Sequence, residues 1–413
     1  MLSFDEAVAR VVEMAREVGQ VGAERVSLFE SDGRILVEDV VAQHPLPGFD
    51  YSAMDGYAVR AADFAPLGTD RALRVAGETA AGDAAVALAP HTAQRIFTGA
   101  PLPVGADAVV MQEDTAVEVR DGARFVVFKA EAPRAGAHVR KKGEDIAEGA
   151  IAIARGTRLD PGKVALAAAL DHATLTVSRR PVVTILGTGD ELRSPGDPPR
   201  AGSIVESNGF FVAGAARRAG ATVRLAPFVR DDPAEATRAV ARALVATDVL
   251  VTIGGVSVGD HDVVRPALEA AGVKIDFYKV AMKPGKPLTV GRTASGTVVL
   301  GLPGNPASAS LTFVLFGVPL LRALAGERET APPALVLPVE GALSRKPGRT
   351  EFARARLVTR EQTARAVLLS NQSSGAVTSF AEAELLLKIP AERGSVADGD
   401  VLEAIDLRAM LRG

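Results

Sequence analysis

The feature that most restricts the fold is an alternation of short β-branched runs and helical stretches from Val182 to about Ala325. Residues 182–186, 222–229, 249–253, 274–280, 288–291 and 297–300 read as strands. Helices are expected from Ser207-Asn208 to Gly220 and over 263–271. Another starts at Asp232-Pro233, with Asp232 as N-cap and Pro233 at the first helical position. A long apolar one follows Asn305-Pro306. Repeated βα units of this kind predict a doubly wound, mostly parallel α/β sheet with helices on both faces. Ligands of such sheets bind outside the strand C-termini. The stretch 249–262 is the most informative of these ends. A short apolar, β-branched strand meets Gly254-Gly255, then Ser257, Gly259, Asp260 and Asp262. Glycines let a backbone approach a phosphate, and closely spaced aspartates suit a hard cation.

The rest of the chain changes character twice. Ser3 and Glu6 form a capping-box pattern, and Phe4, Val8, Val11, Ala15 and Val18 follow helical spacing to Gly19. Residues 73–139 read as short strands and turns, with Arg120-Asp121-Gly122-Ala123 as a hairpin signal. The Pro/Gly-dense segment 44–57 is apolar enough to be an ordered crossing rather than a linker. After Gly326, short strands at 335–339, 352–358, 366–370, 385–389 and 401–405 suggest an all-β barrel or sandwich. With 413 residues, two to four domains are expected.

Composition removes several function classes. The chain has no cysteine, which excludes thiolate metal sites and Cys nucleophiles. A net charge of -3 argues against wholesale binding of nucleic acid or membrane. An amphipathic first helix rather than a signal peptide places the chain in the cytoplasm by default.

The remaining loops carry polar chemistry. Gly187-Thr188-Gly189-Asp190-Glu191 resembles half of a dinucleotide fingerprint, but its carboxylates would repel a pyrophosphate unless a cation lay between. Gly255-Val256-Ser257-Val258-Gly259 matches the nucleophile-elbow spacing of serine hydrolases. Only His261 lies downstream of that serine, too close for the hydrolase order, so the match reads as accidental. Lys279, Lys283 and Lys286 surround a Pro-Gly turn and suit an oxyanion or phosphate; a solvated basic turn is the plain alternative. Gly301-Leu302-Pro303-Gly304-Asn305-Pro306 joins a strand to a helix whose N–H groups could bind an anion, with Asn305 as its N-cap.

These segments together resemble the molybdopterin molybdenumtransferase family. The matching motifs are Pro47-Gly48-Phe49-Asp50, Ser52-Ala53-Met54-Asp55-Gly56-Tyr57, Thr98-Gly99-Ala100-Pro101, Gly143-Glu144-Asp145, Thr188-Gly189-Asp190-Glu191-Leu192, Gly254-Gly255-Val256-Ser257-Val258-Gly259, Lys283-Pro284-Gly285-Lys286-Pro287 and Leu302-Pro303-Gly304-Asn305-Pro306. The resemblance implies an elongated base from 1–45 and 146–179, an inserted β-rich domain over 46–145, a molybdopterin-binding α/β domain over 180–326 and a C-terminal β-barrel over 327–413. It implies a homodimer that takes adenylylated molybdopterin and molybdate as substrates and releases AMP with Mg²⁺ as cofactor. By position it assigns catalysis to Asp55, Thr98, Glu191, Asp231 and Asp262, with Glu191, Asp231 and Asp262 holding the metal. Asp231 and Asp232 compete for one of these places. It assigns substrate binding to Gly254, Gly255, Ser257, Lys279, Lys283, Lys286, Pro303, Asn305 and Pro306, and molybdate recognition to Lys283, Lys286, Ser308, Arg354 and Ser374. A transient contact with a molybdopterin adenylyltransferase is the further partner it suggests. That adenylyltransferase, whose loop reads Gly-Gly-Thr-Gly, and a non-catalytic molybdopterin-binding scaffold are the alternative functions.

Overall fold

The computed structural model describes residues 1–67, 71–129, 131–255 and 263–411. Ser257, Asp260, His261 and Asp262 therefore lie outside the described residues.

The α/β sheet has six strands in the order Thr222–Leu225, Val182–Gly187, Val249–Ile253, Val298–Leu302, Pro287–Arg292, Lys274–Lys279. The first four pair in parallel, and Pro287–Arg292 runs antiparallel to both of its neighbours, as a mostly parallel reading allows. Val249–Ile253 and Val298–Leu302 are buried at every position. That is why their sequences are continuous apolar runs without alternation. Asp232 caps the helix Pro233–Ala243 by accepting from the Glu235 N–H at 2.7 Å. The helix Asn208–Arg218 starts differently: Glu206 accepts from the Gly209 N–H at 2.7 Å, and Ser207 makes no side-chain cap.

The apolar helix after Asn305 runs from Pro306 to Leu324 and relaxes into a π-turn at Phe313–Gly317. Its length and hydropathy would suffice to cross a bilayer, but 94% of its most apolar window is buried inside the protein. Asn305 occupies the N-cap position without a side-chain cap bond. The first helix, Phe4–Val18, forms its capping box between Ser3 and Glu6. Its Phe4, Val11 and Met14 join the core of Phe313, Phe316 and Leu320. It thus packs on the α/β unit rather than on the strands that follow it.

Those strands build a smaller unit from two distant segments. Ala23–Ser27 pairs with Thr174–Ser178 and Val40–Val41 with Ile151–Ile153, around Leu36, Leu159 and Val177. Between the two segments lies a six-stranded mixed sheet, ordered Ala108–Met111, Gly56–Val59, Thr92–Ile96, Ala72–Thr79, Ala123–Phe128, Thr115–Arg120. Its last two strands form the expected hairpin, with positive φ at Asp121 and Gly122. The segment 44–57 is tied down along its length. Tyr51-Ser52 pairs with Val139-Arg140, and Asp50 accepts from the Lys142 N–H at 2.8 Å.

At the C-terminus, Ala334–Glu340, Thr350–Arg360, Thr363–Leu368, Leu385–Ile389 and Val401–Asp406 close into a five-stranded barrel. A sixth short strand, Met282-Lys283 from the lysine loop, adds to Thr350–Arg360 in parallel. The helix Val377–Glu382 carried no clear sequence signal: its six residues are too few to show a helical period.

Candidate functional site

The strand ends Val182–Gly187, Val249–Ile253 and Val298–Leu302 stop at the same level, and backbone hydrogen bonds stitch their loops together. The Thr188 N–H donates to Ile253 O at 2.9 Å, Gly189 N–H to Val229 O at 3.0 Å, and Gly254 N–H to Leu302 O at 3.1 Å. Gly254 and Gly255 have φ of +87° and +61°. A methyl group at Gly254 would lie 2.6 Å from the Thr188 carbonyl, and one at Gly255 2.3 Å from Val264. Only glycine fits this crossing of loops.

The loops enclose a cleft of about 630 Å³. Thr188, Glu191, Asp231, Gly254, Gly255, Pro303, Asn305 and Pro306 line it. So do residues to which the sequence assigned no site role: Leu192, Ile204, Val205, Glu206, Asn208 and Pro287. Asn208 Nδ2 donates to Gly304 O at 2.7 Å and fixes the Asn305 loop. The helix start at Ser207-Asn208 was visible in the sequence, but a polar helix start reads first as a cap.

Glu191, Glu206 and Asp231 all line this cleft. Of the two neighbouring aspartates, Asp232 is the helix cap and Asp231 lines the cleft. The described residues contain no cluster of three or more His, Cys, Asp or Glu able to hold a metal. Mg²⁺ takes one or two carboxylates and completes its shell with water and phosphate oxygens. Glu191 and Asp231, both lining the cleft, are two carboxylates of that donor type.

A second group of predicted residues meets at the seam between sheet and barrel. Arg354 is 1% exposed. Its Nη1 donates to Ser373 O at 3.0 Å, and its Nε reaches Gln372 Oε1 at 3.4 Å. Burial pulls its pKa down, and it has no ion-pair partner among the described residues. The adjoining Ser374 accepts, through its carbonyl, the N–H of Ala307 at 3.0 Å, beside the cleft-lining Pro306. Ser308, on the same first turn, is 4% exposed. Arg354, Ser374, Ser308 and Pro306 are thus linked in one corner.

The lysines divide. Lys283 pairs with Glu351 Oε1 at 3.0 Å. Lys279 stacks on Tyr278 at 4.9 Å, and Lys286 is exposed. None of the three lines the large cleft. Asp55 and Thr98 form a separate pair, with Thr98 N–H and Oγ1 each donating to Asp55 Oδ1 at 2.8 Å. Those two bonds, the backbone one first, hold the Asp55 carboxyl below the usual aspartate range. The pair does not line the cleft of its own chain.

Three family models match in sequence order. They are the MoeA N-terminal region (domain I and II) over residues 2–170, the probable molybdopterin binding domain over 184–323 and the MoeA C-terminal region (domain IV) over 337–407. The chain is 38% identical to molybdopterin molybdenumtransferase 2 of Mycobacterium tuberculosis (strain CDC 1551 / Oshkosh), covering 98% of this chain and 100% of that protein. The chain belongs to the molybdopterin molybdenumtransferase (MoeA) family. It is 36% identical to the molybdopterin molybdenumtransferase of Bacillus subtilis (strain 168), with 98% and 94% covered. Its fold is similar to the crystal structure of the molybdopterin biosynthesis moeA protein from Pyrococcus horikoshii OT3, with a TM-score of 0.81, 25% identity, and 98% and 100% covered.

Proposed function

We propose that this chain performs the molybdenum-insertion step of molybdenum cofactor biosynthesis, joining molybdate to adenylylated molybdopterin and releasing AMP. The observation that carries the reading is the buried guanidinium of Arg354, without an ion-pair partner among the described residues and tied to the cleft-lining Pro306 through the neighbouring Ala307–Ser374 backbone bond. A cation without a counter-ion is costly to bury, and a bound oxyanion removes that cost. Ser374 and Ser308 offer neutral hydrogen bonds beside it, which suits molybdate. The cleft, with its glycine floor and the helix start at Pro306, takes the phosphate-bridged substrate.

Glu191, Asp231 and Asp262 would hold Mg²⁺, which when bound neutralises the phosphates and polarises the anhydride. Gly254 and Gly255 admit the substrate backbone-close, and Ser257 donates a hydrogen bond to it. Pro303, Asn305 and Pro306 shape the wall. Lys279 and Lys286 attract the anions as they enter. The homodimer brings Asp55 and Thr98 of one subunit to the cleft of its partner, since they do not line this cleft in their own chain. The reading keeps the four units named above, with the helix Phe4–Val18 sharing the α/β core. It places the chain in the cytoplasm, in transient contact with the adenylyltransferase that supplies its substrate.

The test uses the purified chain with adenylylated molybdopterin and molybdate. AMP release should require Mg²⁺ and stop in EDTA, and both Asp231→Asn and Asp262→Asn should abolish it in folded protein. AMP release that persists in EDTA would overturn the metal assignment. Adenylylation of molybdopterin by ATP without molybdate would assign the chain to the preceding step instead.

A further inference from the structure

Alternate residues of a strand face opposite sides. In Thr350–Arg360, Phe352 joins the core shared with the α/β unit, while Ala353 and Ala355 face the barrel interior. Glu351 lies on the side of Ala353, opposite to Arg354. It is 6% exposed and holds Arg345 Nε and Lys283 Nζ, each at 3.0 Å. Arg345 is fixed there, because its remaining N–H groups donate to the carbonyls of Arg349, Pro390 and Arg393. The strand addition of Met282-Lys283 to Thr350-Glu351 sets Lys283 on this side as well.

A cavity of about 390 Å³ opens here, lined by Lys283, Arg345, Lys346, Arg349 and Glu351 with the turn at Pro347-Gly348. Four cations face one carboxylate, so the lining carries a net charge of +3. Arg345 already neutralises Glu351. Lys283, Lys346 and Arg349 are therefore in excess, and the latter two have no ion-pair partner among the described residues. Like charges held around one hollow repel each other, and an anion between them reverses the sign of that energy.

We propose that this cavity binds a tetrahedral oxyanion of double negative charge, on the opposite face of the strand from Arg354. Lys283, Lys346 and Arg349 are its direct ligands, and the Arg345–Glu351 pair fixes their spacing. The ion is either a free inorganic oxyanion or the phosphate of a nucleotide monoester, since both present the same oxygens. The site rests on the charge and shape of the cavity and not on the reaction proposed above.

Calorimetric titration of molybdate, phosphate and AMP tests it in the full-length chain, wild type against Lys346→Ala/Arg349→Ala and Arg354→Ala. The wild type should show a salt-sensitive site that the double variant weakens about tenfold or more and Arg354→Ala leaves intact. Loss confined to the inorganic ions identifies a free oxyanion, and loss extending to AMP identifies a phosphomonoester. The charge reversal Lys346→Glu/Arg349→Glu should remove the site altogether, with folding checked by circular dichroism. Equal affinity and stoichiometry in wild type and both double variants would overturn the proposal. Failure of the proposed reaction would appear instead as absent AMP release, with these titrations unchanged.

Discussion

The molybdate role proposed for Arg354 would set function against stability in one residue. Its charge is buried with only neutral acceptors around it. Replacing a buried charge by an apolar side chain of similar volume is often neutral or stabilising. Arg354→Met should therefore leave the melting temperature unchanged or raise it, while molybdate-dependent AMP release falls by about 100-fold or more. A large drop in melting temperature would make Arg354 a structural residue. Asp55 has the opposite logic. Its folded-state pKa is depressed by the Thr98 N–H and hydroxyl. The contact thus stabilises the fold above the unfolded carboxylate range and is lost below about pH 4, as the pH falls through the folded value. In Thr98→Val the backbone bond remains and the hydroxyl bond goes. Asp55 should then titrate higher than in wild type but still below an ordinary aspartate. A carboxyl-carbon NMR titration with no change would count against the assignment.

At the scale of elements, the helix Pro306–Leu324 links the cleft to the core. Its first turn carries Ser308 at the Arg354 corner, and its π-turn packs Gly317 against the Phe313 ring, where an added methyl would sit 2.4 Å from Cδ2. Overpacking of this kind costs about 1–3 kcal/mol. Gly317→Ala should lower the melting temperature by several degrees without changing the number of oxyanions bound. A melting curve identical to wild type would show that the turn absorbs the methyl. The lysine loop is the other element with two attachments. It leaves the α/β sheet at Lys279 and adds a strand to the barrel at Met282-Lys283. Lys283 consequently follows the barrel, where it pairs with Glu351.

For the whole molecule, the separation of Asp55–Thr98 from the cleft makes a sharp expectation. If a subunit's cleft is completed by its partner, Asp55→Ala and Asp231→Asn chains should each be inactive alone. Subunit exchange between them should restore roughly a quarter of wild-type activity, because half of the dimers then hold one intact site of two. No recovery after exchange, with dimers confirmed by light scattering, would place the complete site in one chain.

The local parts of this protein were legible in its sequence because their signals are local. Strands buried on both faces must be continuous apolar runs, and 249–253 and 298–302 are. Capping by Ser3 and Asp232 and the Asp121-Gly122 turn follow from hydrogen bonds and φ angles within four residues. The glycines at 254 and 255 marked the cleft floor for the same reason. What only the tertiary structure decided was which distant groups meet. The docking of Phe4–Val18 on the α/β core rests on contacts between residues hundreds of positions apart. Glu206, which carried no sequence signal, both caps a helix and lines the cleft. Lys283 and Arg354, read together from sequence, lie on opposite sides of one strand, because the parity of the β-pleat and the register of an added strand set the face.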